Sequence, residues 1–454
     1  MIAVTLGSAW ALAVALAFMD GRRPAVRWFA VCGMAGVLVC TALLAWEVFA
    51  QGTSETMAGG WPRGVGIVLR ADPLTVAFVL VTTAMLLAAM AHEAALGVNS
   101  RSFPALLAFL AAGLNGLFLT GDVFNFYVFF EVSMASAVVL AAYPGGGRQL
   151  RAAYTFAVVN LLGSVFYLGG TAALYHLTGT LDMREAERHL STLAPGPVLA
   201  IGAAFFVSFG VKLGLFPFHF WVPPVYRDAD PAVAAALSGA VANIGSYGLL
   251  RFGGDLLTSG LRVAEELFLV LAIASILYGG VLAVARRHIA EVLAYSAIGQ
   301  AGYILLAVAL GGPLGFAAAV FYTVVNSINK TLLFLVQRQR GPLVAGAFAI
   351  GAASVAGLPP SAGFFGKAGL FRAAIDKGDF FVIAAIAAGS VLSLIYMAQV
   401  YERQFWRAPR VARSALPARL LALALAVALL GLGLWPEPLL ALAARAGAAL
   451  GETR

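Results

Sequence analysis

The chain has 454 residues, 61% hydrophobic and 11% charged, with a mean hydropathy of +0.92. Water-soluble globular proteins carry about 25% charged residues, so this composition excludes a soluble enzyme or binding module and describes a polytopic membrane protein. The net charge of +8 is then no nucleic-acid footprint, because basic residues of membrane proteins gather in cytoplasmic loops.

A helix needs about 20 apolar residues to cross the hydrocarbon. The sequence predicts an all-α fold of about fourteen spans, near 2–19, 28–49, 73–91, 104–121, 123–142, 152–176, 197–221, 231–252, 264–285, 289–310, 313–337, 344–371, 379–401 and 416–435. The first span has no basic residue before it and Arg22, Arg23 and Arg27 after it. That polarity is wrong for a cleaved signal peptide and fits a retained helix with its N-terminus outside. Cys32 and Cys40 share the second span and are expected to be small core residues, with no disulfide or metal site. The polar stretch 178–196 is expected to hold a short interfacial helix. Spans seven and twelve are interrupted, at Pro217 and at Gly357-Leu-Pro359-Pro360. Proline removes a backbone donor and breaks or kinks a helix. The two breaks lie five spans apart, so the second unit runs inverted. The chain reads as one integral membrane domain, 1–454, holding inverted repeats 104–252 and 264–401. Inverted repeats with discontinuous helices are a frequent transporter design.

Loop charge orients the spans. With the N-terminus outside, the inner loops take most of the arginines, from Arg22 to Arg419, and the outer loops fewer, from Arg63 to Arg454. An even span count puts both termini outside. Lysine is distributed differently. The chain has only Lys212, Lys330, Lys367 and Lys377, and the first three stand in apolar surroundings. Arginine stays charged, whereas a buried lysine can give up its proton. A codon bias toward arginine explains lysine-poor loops but not three lysines kept in the membrane.

Charged groups at bilayer depth cost at least ~2.5–3.5 kcal/mol and are functional candidates by default. Glu131 is the one charge within span five, and Lys212, just ahead of the break in span seven, is its natural partner. Such a pair is both structural and titratable. Lys330 in Phe321-Tyr-Thr-Val-Val-Asn326-Ser-Ile-Asn329-Lys330 shares a helix face with Asn326. Lys367 follows the Gly-Leu-Pro-Pro break, where a cation also suits a helix end. Ser296 and Gln300 share one face and serve either helix packing or water ordering. His219, near the inner end of span seven, is an inlet candidate or an ordinary interfacial histidine. Asp122, Glu47 and Glu93 sit at span ends and are expected to be solvated.

Four runs resemble one family. They are Thr120-Gly-Asp122-Val-Phe-Asn125-Phe-Tyr-Val-Phe-Phe-Glu131, Lys212-Leu-Gly-Leu-Phe-Pro217-Phe-His219, Leu293-Ala-Tyr-Ser296-Ala-Ile-Gly-Gln300-Ala-Gly-Tyr303 and Ala356-Gly-Leu-Pro359-Pro360-Ser-Ala-Gly-Phe-Phe-Gly-Lys367. In that order they resemble the antiporter-like subunits of respiratory complex I and of the multi-subunit Mrp Na⁺/H⁺ antiporters. The wording before Glu131, with Asn160-Leu-Leu-Gly-Ser164 and Thr178-Gly-Thr-Leu-Asp182, is more similar to the Mrp D subunit. The resemblance implies fourteen helices, broken helices seven and twelve, and a hydrated axis through Glu131, Lys212, Lys330 and Lys367. It also marks two departures. Many relatives carry lysine where this chain has Asn243, and histidine where it has Asn326. Asparagine can order water but cannot carry a proton at neutral pH.

The expected function is a proton-translocating subunit of a monovalent cation (Na⁺)/H⁺ antiporter in a bacterial plasma membrane, with no catalysis and no cofactor of its own. Its expected partners are other membrane subunits, H⁺ and Na⁺, and no nucleic acid. Two alternatives stay open. One is a pumping subunit of a complex I-like NADH-quinone oxidoreductase or membrane-bound hydrogenase. The other is a non-conducting structural subunit, motivated by Asn243 and Asn326.

Overall fold

In hydrocarbon every backbone N–H and C=O must find a partner inside the protein, which restricts spanning elements to helices and closed barrels. A computed structural model describes residues 1–62, 66–407 and 415–451, apart from the side chains of 258–263 and 451. Arg63, Arg410, Arg413 and Arg454, and the side chain of Arg262, fall outside the described residues. Eleven helical stretches there are long and apolar enough to cross a membrane, and three shorter apolar helices complete the set.

The order is α1 (Ile2–Ala17), α2 (Pro24–Gln51), strands β1 (Ser54–Met57) and β2 (Val68–Ala71), α3 (Pro73–Leu96), α4 (Phe103–Leu119), α5 (Val123–Ala141), α6 (Gly147–Thr178) and α7 (Met183–Leu190). Span seven is α8 (Pro195–Leu213) followed by α9 (Val222–Asp228), and span eight is α10 (Pro231–Ala236) with α11 (Asn243–Arg251). Then come α12 (Thr258–Ala285), α13 (Ile289–Leu310) and α14 (Gly312–Val336). Span twelve is α15 (Pro342–Ala356) and α16 (Ala362–Lys377), followed by α17 (Phe380–Tyr401), α18 (Leu416–Leu434) and α19 (Glu437–Gly451).

The two breaks are made alike. α8 ends at Gly214 with φ +73° and α15 ends at Gly357 with φ +83°, a left-handed cap that glycine adopts without steric penalty. At the first break, Trp221 Nε1 donates to the Val211 carbonyl at 2.9 Å and so satisfies an acceptor near the helix end. Span eight is distorted in a way that no local sequence signal announces. It widens into π turns over Leu237–Val241 and Phe252–Leu256. Such bulges often mark functional positions.

The fold is not purely helical. β1 and β2 form an antiparallel hairpin whose edge is bridged through Leu69 to Thr120, and Asp122 is bridged to Asp182. These contacts define one face of the molecule, the hairpin face. The expected short helix in 178–196 is α7, capped by Asp182 and docked by Met183, Ala186 and Leu190. α19 is an unforeseen addition. Its buried residues Leu439, Leu442, Ala443, Ala446 and Leu450 recur at helical spacing, and it packs on α3 and α14. Both described chain ends lie on the hairpin face, since the Met1 amine pairs with Glu47 and Leu450 packs at Gly254.

α10–α11, α13 and α14 are buried almost throughout, while α2, α12, α17 and α18 expose wide apolar faces. The expected core position of the cysteines is corrected here. Cys32 is exposed and Cys40 partly so, on the outer face of α2.

Candidate functional site

Lys212 lies in the last turn of α8 and is 2% exposed. Its Nζ stands 3.4 Å from the Asn160 carbonyl on α6 and 3.8 Å from the centre of the Phe130 ring. Ring faces attract cations, most of all where water is excluded. Glu131 follows Phe130 on α5, and its Oε1 is buried without a hydrogen bond. The expected direct ion pair is not formed, because the two groups lie beyond the 4.0 Å limit for a salt bridge. The reason is geometric: the Phe130 ring and the Asn160 carbonyl hold the ammonium.

Asn243 begins α11 just after the first π stretch. Its Nδ2 donates to Thr82 Oγ1 on α3 and to the Gly239 carbonyl, both at 3.1 Å. Ser327 on α14 places its hydroxyl 3.0 Å from Asn243 Oδ1. Asn243 thus ties three helices together instead of standing free in a water file. Lys330, one turn beyond Ser327, is buried and has no carboxylate within salt-bridge reach among the described residues. Around it on α14, Asn326 Oδ1, Asn329 Oδ1 and Thr331 Oγ1 are buried without protein partners. Buried polar atoms are nearly always satisfied by protein or by ordered water.

Lys367 donates to the Ala356 carbonyl at 3.0 Å and lies 5.1 Å from the Tyr303 ring centre. Ala356 is the last residue of α15, so the ammonium sits at the negative end of a half-helix. Lys212 precedes its break and Lys367 follows its own, yet each lies beside the C-terminal end of a half-helix. From Tyr322 on α14 a hydrogen-bonded chain runs through α13 to α17. Tyr322 donates to Gln300 Oε1, Gln300 Nε2 reaches Tyr396 OH at 3.4 Å, and that hydroxyl lies 2.9 Å from Ser296 Oγ. Ser296 and Gln300 are therefore brought together with each other and with two tyrosines, Tyr322 and Tyr396.

Residues 120–393 match the membrane family described as NADH:quinone oxidoreductase/Mrp antiporter, TM. The chain belongs to this family. It is 32% identical over 400 residues to the D subunit of the Na(+)/H(+) antiporter of Alkalihalophilus pseudofirmus, covering 83% of this chain and 80% of that one. It is 31% identical over 409 residues to the N subunit of the NADH-quinone oxidoreductase of Desulforudis audaxviator, covering 84% and 81%. Its structure is similar to a chain in the Mrp complex from Dietzia sp. DQ12-45-1b, with TM-score 0.89, 26% identity and coverage of 100% and 96%.

Within this family fold, several polar groups were not singled out from the sequence. Arg251, 3% exposed, pairs with Asp72 at 2.8 Å and Asp255 at 3.0 Å, and Arg70 reaches the same carboxylates at 3.1 and 3.3 Å. Loop charge alone places both arginines among solvated residues. The available signals were Asp72 before Pro73, a helix N-cap pattern, and the spacing of Asn243, Tyr247 and Arg251 by four. Asp72 lies ahead of the span. Burial alone would push its carboxyl up, but the guanidinium of Arg251, then that of Arg70, and the Thr75 amide hold it down at about 2.

Glu93 is likewise not solvated. It is 5% exposed and accepts a 2.6 Å hydrogen bond from Tyr143 OH. Glu47 is half-buried against the chain's amino group, and Asp122 is a half-buried cap of α5 accepting from the Asn125 amide at 2.6 Å. His219 lies within the break of span seven, buried against Phe216 and Tyr278, because the span continues to Asp228. It is not at the end of the span, as the shorter expected boundary implied.

Proposed function

We propose that the protein is the proton-carrying membrane subunit of a multi-subunit Na⁺/H⁺ antiporter. The observation that carries this reading is the state of the three membrane lysines. Lys212, Lys330 and Lys367 are buried, and among the described residues none has a carboxylate within salt-bridge distance. A buried cation without a counter-ion is costly and is retained for transport. The family and the relatives named as antiporter D subunits point the same way.

In this reading Glu131 and Lys212 form the switch of the first half. A proton arriving on Glu131 removes the negative charge that favours a charged Lys212, and Lys212 releases its proton onward. Water held by Asn326 Oδ1 and Asn329 Oδ1 carries it to Lys330. The Tyr322–Gln300–Tyr396–Ser296 chain then orders the passage toward Lys367 beside the second break. Asn326 serves as a water-ordering group, Asn243 as a joint between helices, and neither carries a proton. His219 is an inlet group at the first break. The inverted repeats span 104–252 and 264–401.

The face opposite the hairpin carries a basin lined by Arg148, Arg227, Arg287, Arg338 and Arg340. By the positive-inside rule it is cytoplasmic, which puts the hairpin face and both termini outside. The other membrane subunits of the assembly are the partners, and Na⁺ is the exchanged cation.

The test uses vesicles that contain the complete assembly and hold an imposed pH gradient. Added Na⁺ collapses the gradient in the wild type, and Glu131→Gln removes the response. A response that survives Glu131→Gln contradicts the switch. A second reading, a pumping arm driven by redox chemistry, is favoured by the relative named as an N subunit of NADH-quinone oxidoreductase. Co-purification separates the two: small hydrophobic antiporter subunits support the first, and iron–sulfur subunits the second.

A further inference from the structure

The helix α11 carries Asn243, Tyr247 and Arg251 on one face, four residues apart. Each reaches the same side of α3. Asn243 bonds Thr82, Tyr247 OH lies 3.4 Å from Thr75 Oγ1, and Arg251 Nη2 donates to Thr75 Oγ1 at 3.1 Å and to Asp72 at 2.9 Å. The result is a polar seam between two buried helices. Its central end meets Ser327, one turn from Lys330. Its other end reaches the hairpin face. A polar seam from a proton carrier to the bulk is a route for leak, and a leak dissipates the gradient that an antiporter works on.

The hairpin end of this seam is closed by a particular set of groups. Tyr247 sits between Phe78 and Phe118, with ring centroids 5.3 and 5.0 Å away, and its hydroxyl donates to the Phe118 carbonyl at 2.8 Å. Arg251 lies over it, with Nε donating to the same hydroxyl at 3.1 Å. The carboxylates of Asp72 and Asp255 fix the guanidinium, and Arg70 from β2 ties them together from the side nearer solvent. The surrounding loops are pinned over the cluster. The Gly121 amide donates to Val68 O at 2.8 Å, Met183 N donates to Gly121 O at 2.9 Å, and Arg184 pairs with Glu55 at 2.6 Å.

Arginine has donors only and does not release its proton in a protein, so Arg251 cannot pass a proton on. A fixed guanidinium in a narrow polar passage raises an electrostatic barrier to protons and cations. We propose that Arg251, held by Asp72 and Asp255 over Tyr247, is the stopper of the α3–α11 seam. It allows polar groups to extend to Asn243 and Ser327 without opening a shunt from Lys330 to the hairpin face. This inference rests on the proton-carrying reading given above. It makes Arg251 a positioning and barrier residue, not a carrier.

The test measures passive proton movement in vesicles of the complete assembly, with a pH gradient imposed and no exchangeable Na⁺ present. Arg251→Met is expected to raise passive flux about tenfold, which corresponds to ~1.4 kcal/mol taken off the barrier, while Arg251→Lys, which keeps a cation but one that can release its proton when buried, is expected to raise it by a smaller factor. Tyr247→Phe removes one hydroxyl that orients the guanidinium and is expected to raise passive flux by a smaller factor, so the test stands even where Arg251→Met does not assemble. Wild-type passive flux in an assembled Arg251→Met, or in Tyr247→Phe, overturns the stopper. A merely structural cluster would lower thermal stability in these variants without changing passive flux. Lys212→Ala separates the two ideas: it is expected to abolish Na⁺-driven exchange and leave passive flux unchanged. Persisting exchange there contradicts the relay and leaves the stopper to be judged by its own flux.

Discussion

The Ser327 hydroxyl stands 3.0 Å from Oδ1 of Asn243 and ties the middle of α14 to the start of α11, one turn from Lys330. Nδ2 of the same asparagine is engaged by Thr82 and by the Gly239 carbonyl. Asn243 is therefore a three-helix joint. Asn243→Leu takes the amide donor from the buried Thr82 hydroxyl and leaves Ser327 with only the Thr323 carbonyl, and it is expected to cost about 1–3 kcal/mol of stability, read as a lower thermal midpoint of the purified protein. An unchanged midpoint would show that the joint is dispensable.

Lys330 behaves oppositely. Among the described residues it has no carboxylate to lose, so Lys330→Met removes a buried cation and restores an apolar side chain of similar length. Its thermal midpoint is expected at or above the wild-type value, because an unpaired charge at bilayer depth costs at least ~2.5 kcal/mol. Exchange is expected to fall on the order of a hundredfold, the low end for a positioned proton-transfer group. A clear loss of stability would mean that Lys330 has a structural partner.

Gly357 combines a cap and a contact. Its φ of +83° suits glycine, and a Cβ there would meet Lys367 Cδ at 2.6 Å. Gly357→Ala is expected to destabilise by about 1 kcal/mol and to dislodge the Lys367 ammonium from the Ala356 carbonyl. Slower exchange together with a lower midpoint supports the placement. Full exchange in this variant argues that Lys367 needs no fixed seat.

The hairpin-face ion cluster predicts a pH dependence. The Asp72 carboxyl is held at about 2 when folded, below the ~3.9 of an unperturbed aspartate. A depressed folded value contributes stability that is complete above the unfolded value and is lost as pH falls toward the folded one. Thermal midpoints of wild type and Asp72→Asn should differ most at neutral pH and draw together between about pH 4 and pH 2. A gap that is constant across that range rules out the carboxylate as its source.

Much of this was legible in the residues themselves. Apolar runs gave the spans, and Pro217 and Pro359-Pro360 gave the breaks, because both signals are local. The isolated lysines were legible because charge is rare in such a background. What was not legible depends on distance across the fold. Arg251 and Asp72 lie 179 residues apart in sequence, and each alone resembles an ordinary span-end charge. Glu93 was misread for the same reason, since Tyr143 arrives from another loop. The separation of Glu131 from Lys212 reflects a ring and a carbonyl that take up the ammonium, which no spacing rule foretells. α19 was missed because 15 residues are too few to count as a span, although its apolar residues recur at helical spacing.

In the proposed relay Lys212 carries protons through the first half. Its most direct test is Na⁺-driven proton exchange in vesicles of the complete assembly bearing Lys212→Ala. Exchange is expected to be lost while the assembly remains intact and passive flux stays at the wild-type level. Exchange at the wild-type rate in that variant would contradict it.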